Sequence, residues 1–467
     1  MGSVNLVILD RDGNLLEYVL KHRQDTVIAL VCEKNPRINS LISRFANRIL
    51  YIVDYDQLLD IQNVECINYD LIMKLKFAQI DIETMLHRIM LNNPLAKDIY
   101  HQHLSFFAKI FKNEKIDLLL SNEPNLASPN HHIPFALCQL LGIPCYSLNG
   151  YHQTAFALGN YNNPQIQRHI PYICSTVFSD IRKIAYYKPK TEIIKIKKTF
   201  KNLIKNVILK IGGEMLSQFL VCCIKLSFWQ NRLGIPYSYW HKLYYFIKYK
   251  QLKSFYNKNS IIPNLEEKYI YYSMHFEPEA AIIGKTLLES QLTIIKMLAH
   301  ALPKGWKLYV KEHPHQFMLN NEVAHYFINN LDFFKNISFY KEIQKIPNVT
   351  LVSLKISSKD LMLKSQAIAT LGGTIALESA FHNIPAILFN PLESVYALLE
   401  HTLHVHSYPD LLQAINKIQS GFKKEIKVNP KQLECYLADP RDKDFYNNLF
   451  ATIEDHSKTI SRTGEKL

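Results

Sequence analysis

Short apolar runs alternate with amphipathic stretches through the first third of the chain. Residues 4–9 form a run long enough for one strand, residues 15–22 repeat at helical spacing, and residues 26–31 and 48–53 read as two further strands. A helical region over about residues 69–112 precedes a strand at 116–120. A loop carrying Glu123, His131 and His132 follows, then a helix at 135–141, and Gly142-Ile143-Pro144 leads into a strand at 145–148. This alternation predicts a Rossmann-like domain over residues 1–180.

The βα alternation resumes at Lys268 and persists to about Gln419, predicting a second Rossmann-like domain over 261–435. Between them, 181–260 reads as a basic, aromatic, mostly helical insert or linker. Residues 436–467 read as a C-terminal helix, at 444–453, and a polar tail frayed after Asp455. The fold class expected is therefore α/β, with two Rossmann-like domains.

Two strand-to-helix junctions in the second half carry candidate chemistry. Residues 367–370 form a short apolar strand, Gly372-Gly373-Thr374 a turn, residues 375–381 a helix, and residues 386–389 the next strand. Two glycines let backbone approach a ligand closely, and amides at a helix start, with the Thr374 hydroxyl, are aimed where a phosphate sits. Glu378 lies one turn into the helix, within reach of a ribose. A tight turn with a surface glutamate is the plainer reading of such a short pattern.

The other junction shifts that balance. A strand at 306–310 delivers Lys311, Glu312 and His313 to its C-terminal end, where open α/β sheets bind ligands, and Pro314 stops the strand. Lys311 and His313 suit the neutralisation of a leaving phosphate, and His313 its protonation. Glu277 and Glu279 flank Pro278 just after the strand at 269–273, placed to stabilise positive charge at an anomeric carbon or to act as acid or base. In the first domain His132, with His131 and Glu123, is a candidate for deprotonating an acceptor hydroxyl.

Composition narrows the class. At 467 residues, two domains are the default. The eight cysteines form no CxxC pair, which argues against a zinc ribbon and fits reduced thiols. The nineteen histidines show neither HxxxH nor a carboxylate cluster at ligand spacing, so no metal site is expected. The N-terminus lacks the basic start and apolar core of a signal peptide and no apolar run is long enough to span a bilayer, predicting a cytoplasmic location.

The net charge of +13 is concentrated. Between Arg182 and Lys258 stand 17 Lys and Arg against only Glu192 and Glu214. Interleaved aromatics, among them Trp229, Trp240, Tyr244, Phe246 and Tyr249, make this a candidate for peripheral docking on the anionic inner leaflet rather than on nucleic acid, for which no reading motif is present. A solvated linker is the alternative. At the N-terminus, Asp10-Arg11-Asp12-Gly13-Asn14 after an apolar strand imitates a haloacid dehalogenase phosphatase motif. The simpler reading is a first βα turn in which Gly13 relieves crowding.

Several of these segments occur together in an order that resembles the bacterial capsule polysaccharide biosynthesis protein family, which includes the Kdo transferases. They are YIYYSMHFEPEAA from Tyr269, the strand ending KEHP, Ile346-Pro347-Asn348-Val349, Ser357-Ser358-Lys359-Asp360-Leu361 and GGTIALES. The His-Pro and Ser/Thr motifs are similar to those of bacterial sialyl- and polysialyltransferases. The match spans roughly residues 266–395, with weaker similarity around 117–148. Where the family shows a QPE-type segment this chain has His275-Phe276-Glu277-Pro278-Glu279, and Glu279 holds the family's glutamate place.

Two Rossmann-like halves with a nucleotide signature only in the second match the glycosyltransferase B (GT-B) architecture, whose C-terminal domain binds the donor. The resemblance implies a glycosyltransferase of capsule or lipopolysaccharide assembly that moves a CMP-activated 2-keto sugar acid, Kdo or sialic-acid-like, to an oligosaccharide or glycolipid acceptor. It would use no cofactor beyond the nucleotide sugar. Other nucleotide-sugar enzymes (a UDP-sugar transferase or epimerase, a CDP-polyol phosphotransferase) and a non-enzymatic basic scaffold are the alternatives.

Overall fold

The structure, a computed structural model, describes residues 3–55, 57–58, 63–87, 93–122, 128–151, 155–161, 169–172, 181–186, 239–277, 282, 288–317, 334–391 and 394–463. The first sheet holds β1 (Asn5–Leu9), β2 (Thr26–Cys32), β3 (Ile49–Asp54), β4 (Leu118–Ser121), β5 (Cys145–Tyr151), β6 (Ala155–Asn160) and β7 (His169–Ile170), in the order β3-β2-β1-β4-β5-β6-β7. The first five are parallel; β6 and β7 add an antiparallel edge that the alternation did not predict. Helices cover both faces, so Val7 and Leu9 enter one apolar core and Leu6 and Ile8 another. Burial on both faces is why these strands read as unbroken apolar runs.

The second sheet holds β8 (Tyr269–Ser273), β9 (Lys307–Lys311), β10 (Val349–Val352), β11 (Ala367–Thr370), β12 (Ala386–Leu388) and β13 (Thr402–His404). It is wholly parallel, in the order β10-β9-β8-β11-β12-β13. The winding direction reverses between β8 and β11, which opens a crevice beyond the carboxyl ends of those two strands. The expected α/β class, with two Rossmann-like sheets, is the one found.

At the first βα turn Asp10 is wholly buried. Its carboxylate accepts hydrogen bonds from the Gly13 amide (3.1 Å), the Leu16 amide (2.8 Å) and Asn122 Nδ2 (3.2 Å), tying β1 to the end of β4. Gly13 has φ +77°, and a Cβ there would lie 2.7 Å from Ile38 Cγ1. Both carboxylate oxygens are committed to the turn, so the structural reading of this motif holds and a phosphatase nucleophile does not.

The last helix, Phe445–Thr463, crosses back to the first half. Phe445, Leu449, Phe450 and Ile453 pack with Leu6, Ile8, Leu15 and Leu16, and Tyr18 stacks on Tyr446 with centroids 5.2 Å apart. Helical spacing places those apolar residues on one face. The expected fraying after Asp455 is not found, because the helix continues and the Tyr146 hydroxyl meets His456 Nδ1 at 3.1 Å.

Most of the basic segment, residues 187–238, lies outside the described residues. Its end is a helix, Tyr239–Asn259. Phe246 and Tyr249, read above as part of an aromatic belt, are only 4% exposed and join Leu252 and Tyr256 in the core of the second domain. Trp240 is 78% exposed and Tyr244 45%. Helical periodicity turns the first set inward and leaves the second in solvent.

Candidate functional site

A hydrogen bond joins the ends of β8 and β11 at the crevice. The Gly372 amide donates to His275 Nε2 at 3.2 Å. The His275 backbone is clamped from behind: Gln291 Oε1 accepts from its amide (2.8 Å), while Gln291 Nε2 (3.0 Å) and Lys335 Nζ (2.6 Å) donate to its carbonyl. The Gly372 carbonyl accepts from the Tyr396 hydroxyl (2.7 Å) and the Ser394 hydroxyl (3.2 Å). A Cβ on Gly372 would stand 2.9 Å from Ser394 Oγ, and one on Gly373 would stand 3.1 Å from Thr370 Oγ1 and 3.4 Å from His275 Nε2. Neither glycine has positive φ, so close approach rather than backbone freedom accounts for them.

The Gly373 amide donates to Thr370 Oγ1 at 3.3 Å. Thr374 precedes the short helix Ile375–Ala380 and makes no capping bond to it. One turn on, the half-buried Glu378 has its carboxyl pushed up to about 7 by burial, against the opposing pull of Lys359. A carboxyl poised near neutrality in a cleft is a recurrent feature of functional sites.

At the end of β9 the four expected residues separate by role. His313 Nδ1 accepts from the His315 amide at 3.2 Å, so the neutral ring carries its proton on Nε2, and Phe276 lies against it with centroids 6.2 Å apart. Pro314 opens a turn of 3-10 helix, Pro314–Phe317, that ends the strand. Lys311 is buried and donates to the Ile356 carbonyl (2.6 Å) and Ser358 Oγ (2.9 Å), tying β9 to the helix Ser358–Lys364; burial lowers its ammonium to about 8.

Glu312, expected among the nucleotide contacts, is instead a buried structural group. Its side chain and that of Lys335 are each 0% exposed, with Lys335 Nζ 3.0 and 3.1 Å from the two carboxylate oxygens. The Tyr340 hydroxyl (2.6 Å) and the His313 amide (2.7 Å) complete its shell. A buried charge must be paired and hydrogen-bonded, and this one is. Glu277 belongs to the same network. Its carboxylate accepts from Gln291, its amide and carbonyl pair with the Gln316 side chain at 3.1 and 3.0 Å, and burial raises its carboxyl while Lys335 opposes the rise. Glu279 and Glu123 lie outside the described residues.

In the first domain, His131 and His132 sit in the helix Pro129–Leu141 and not in a loop. Ser128 caps it and Pro129 occupies its first turn, while Pro134 is accommodated inside it, so the helix starts earlier than residue 135. His131 is buried edge-on against Tyr55, with centroids 4.7 Å apart. His132 Nε2 stands 3.8 Å from Asp81 Oδ2, on the helix Lys76–Leu86. Among the described residues no group of three His, Cys, Asp or Glu is placed to hold a metal ion, and no helix is long and apolar enough to cross a membrane.

Sequence reasoning missed the supports of the site. His275 was noticed only as a departure from a family pattern, and Gln291, Lys335, Tyr340 and Tyr396 carried no local signal. They reach the crevice from positions far along the chain.

Two parallel-rich Rossmann-like sheets, with a final helix returning to the first, place the protein in the GT-B fold class. No family model and no curated protein matches the chain. Solved structures similar to it include KpsC, the β-Kdo 2,7 transferase of Thermosulfurimonas dismutans (10% identity, 88% of this chain and 91% of that chain covered, TM-score 0.32). Others are the UDP-GlcNAc 2-epimerases of Methanocaldococcus jannaschii (9%, 91% and 95%, 0.25) and of Neisseria meningitidis, the latter bound to UDP-GlcNAc (12%, 97% and 99%, 0.24). Likeness at this level assigns neither activity nor substrate.

Proposed function

We propose that the protein is a nucleotide-sugar-dependent glycosyltransferase that builds a bacterial surface polysaccharide, capsule or lipopolysaccharide. The observation that carries this reading is the crevice at the β8/β11 reversal, where His275 and the Gly372-Gly373-Thr374 turn converge with Glu378 one turn further on. The sequence resemblance supplies the donor, a CMP-activated 2-keto sugar acid.

In this reading the CMP phosphate lies against the amides of Gly372 and Gly373 and the Thr374 hydroxyl, and Glu378 accepts hydrogen bonds from the ribose. The acceptor oxygen attacks the anomeric carbon while the bond from that carbon to the phosphate oxygen breaks, its electron pair leaving on CMP. His313, which carries its proton on Nε2, donates to that phosphate. Glu279 stays a candidate for the anomeric centre on the strength of the resemblance. Glu312 and Lys311 hold the walls of the site. The acceptor is an oligosaccharide or glycolipid, and the basic segment docks the enzyme on the inner face of the cytoplasmic membrane.

Thermal shift of the purified protein with CMP-, UDP-, GDP- and CDP-linked donors tests the reading. Stabilisation by CMP-linked donors alone is expected. A response confined to UDP-sugars would favour an epimerase or another transferase, and no response to any nucleotide would favour a scaffold.

A further inference from the structure

The first domain presents a carboxylate that the sequence did not single out. Asp81 lies on the helix Lys76–Leu86, its side chain 27% exposed, with Oδ2 3.8 Å from Nε2 of the 10%-exposed His132. The helix bearing His132 begins beyond the carboxyl end of β4, and β1 and β4 are the strands between which the winding of the first sheet reverses. Asp81 is also within electrostatic reach of Glu289, which belongs to the second domain. Two residues on, Gln291 holds the His275 backbone, and His275 holds Gly372. The first-domain carboxylate thus feels the charge of Glu289, which lies two residues from the glutamine that holds His275.

Resting on the glycosyltransferase reading, we propose that Asp81 is the base of the transfer, accepting the proton of the acceptor hydroxyl, and that His132 is a positioning residue that orients its carboxylate. Of the two, Asp81 is the more exposed, whereas His132 Nδ1 is buried. When protonated, the imidazole holds the carboxylate electrostatically across 3.8 Å, and Asp81 is the group left to face the acceptor. As the acceptor oxygen bonds to the anomeric carbon, its proton passes to Asp81 Oδ, and the electron pair of the broken glycosyl–phosphate bond leaves on CMP.

Burial raises the Asp81 carboxyl to about 7, and the like charge of Glu289 adds to the rise. A base works best with a pKa near the working pH. Among the described residues, His132 on a neighbouring helix and Glu289 from the second domain act on it, and Lys76 and Glu83 stand on its own helix. Gln79 engages both of the last two, at 3.0 and 2.6 Å, and His101 lies near them.

The test is steady-state transfer from CMP-Kdo and CMP-N-acetylneuraminic acid to methyl Kdo glycoside and lactose as probe acceptors, with the CMP-induced thermal shift measured in parallel. Asp81→Asn should lower kcat by about a hundredfold or more, with an intact circular dichroism spectrum and an undiminished CMP shift. His132→Gln should lower kcat by less and move the acid limb of the kcat profile to higher pH. Glu289→Gln, which removes a like charge, should move that limb to lower pH. Wild-type kcat in Asp81→Asn, or an acid limb unmoved by Glu289→Gln, would overturn the assignment while leaving the donor site intact. Absence of a CMP shift and of transfer in the wild type would overturn the glycosyltransferase reading and this assignment together.

Discussion

His275 Nε2 accepts the Gly372 amide proton at 3.2 Å, so an imidazole at the end of β8 fixes the glycine turn at the end of β11. Three hydrogen bonds from Gln291 and Lys335 hold the histidine backbone, which makes it a rigid brace. His275→Ala should therefore loosen the donor turn without unfolding the sheet. One neutral hydrogen bond contributes about 0.5–1.5 kcal/mol, so the donor KM should rise roughly threefold to tenfold with a smaller change in kcat. An unchanged donor KM would show that the turn holds its shape without the imidazole.

His313 and Lys311 stand two residues apart but should fail differently. A charge-assisted contact to a developing phosphate contributes roughly 1.5–3 kcal/mol, so His313→Ala should lower kcat by at least about tenfold with little loss of stability. Lys311 is bound to Ile356 and Ser358, and Lys311→Ala should lower the thermal midpoint as well as activity. Full activity in His313→Ala would remove this histidine from the mechanism.

Glu378 gives a pH prediction with a definite sign. Its carboxyl is raised from 4.5 to about 7, so between those values the folded protein binds more protons than the unfolded chain. Its influence on stability is most favourable at and below pH 4.5 and is lost as the pH rises to about 7. Glu378→Gln should accordingly leave the thermal midpoint unchanged near pH 4.5 and raise it above pH 7. In the same variant the donor KM should rise more than kcat falls, through the lost ribose contact. Parallel midpoint profiles for the two proteins would contradict the buried-carboxyl account.

The pair Glu312–Lys335 tests the structural assignment of a residue that the sequence had placed at the nucleotide. Breaking a fully buried ion pair from one side leaves an uncompensated charge and costs about 3–5 kcal/mol. Lys335→Met should cost that much in urea unfolding, and Glu312→Gln combined with Lys335→Met should recover part of it. A Glu312→Gln variant with wild-type stability and a large donor KM defect would return Glu312 to the ligand.

What the sequence made legible was what local pattern controls. Apolar runs gave the strands, and two glycines beside Thr374 marked a turn where backbone packs closely. Glu312 was misplaced because its neighbours Lys311 and His313 share a strand mouth, while its true partner, Lys335, approaches from more than twenty residues away. His132 was put in a loop because the helix was read as starting at residue 135, although it begins at Pro129. Asp81 carries no motif at all. Its environment comes from burial, from His132 fifty residues on, and from Glu289 in the other domain.

The final prediction concerns the basic segment, whose 17 cationic residues against two glutamates between Arg182 and Lys258 are written in the sequence alone. Each lysine near an anionic leaflet contributes on the order of 1 kcal/mol, so a few acting together suffice for reversible docking. Phe246 and Tyr249 are withdrawn from any aromatic anchor by their burial, leaving the exposed Trp240 and Tyr244 on the described helix to reach an interface. Binding to liposomes should rise with phosphatidylglycerol content and fall steeply with salt, since exposed charges are screened over about 10 Å at 0.1 M. Changing Lys195, Lys197, Lys198 and Lys201 together to glutamine should weaken that binding while leaving activity on a short soluble acceptor nearly untouched. If the wild type ignored anionic liposomes at low salt, or the quadruple variant bound as well as wild type, the segment would have to be read as a solvated linker and the membrane contact sought elsewhere.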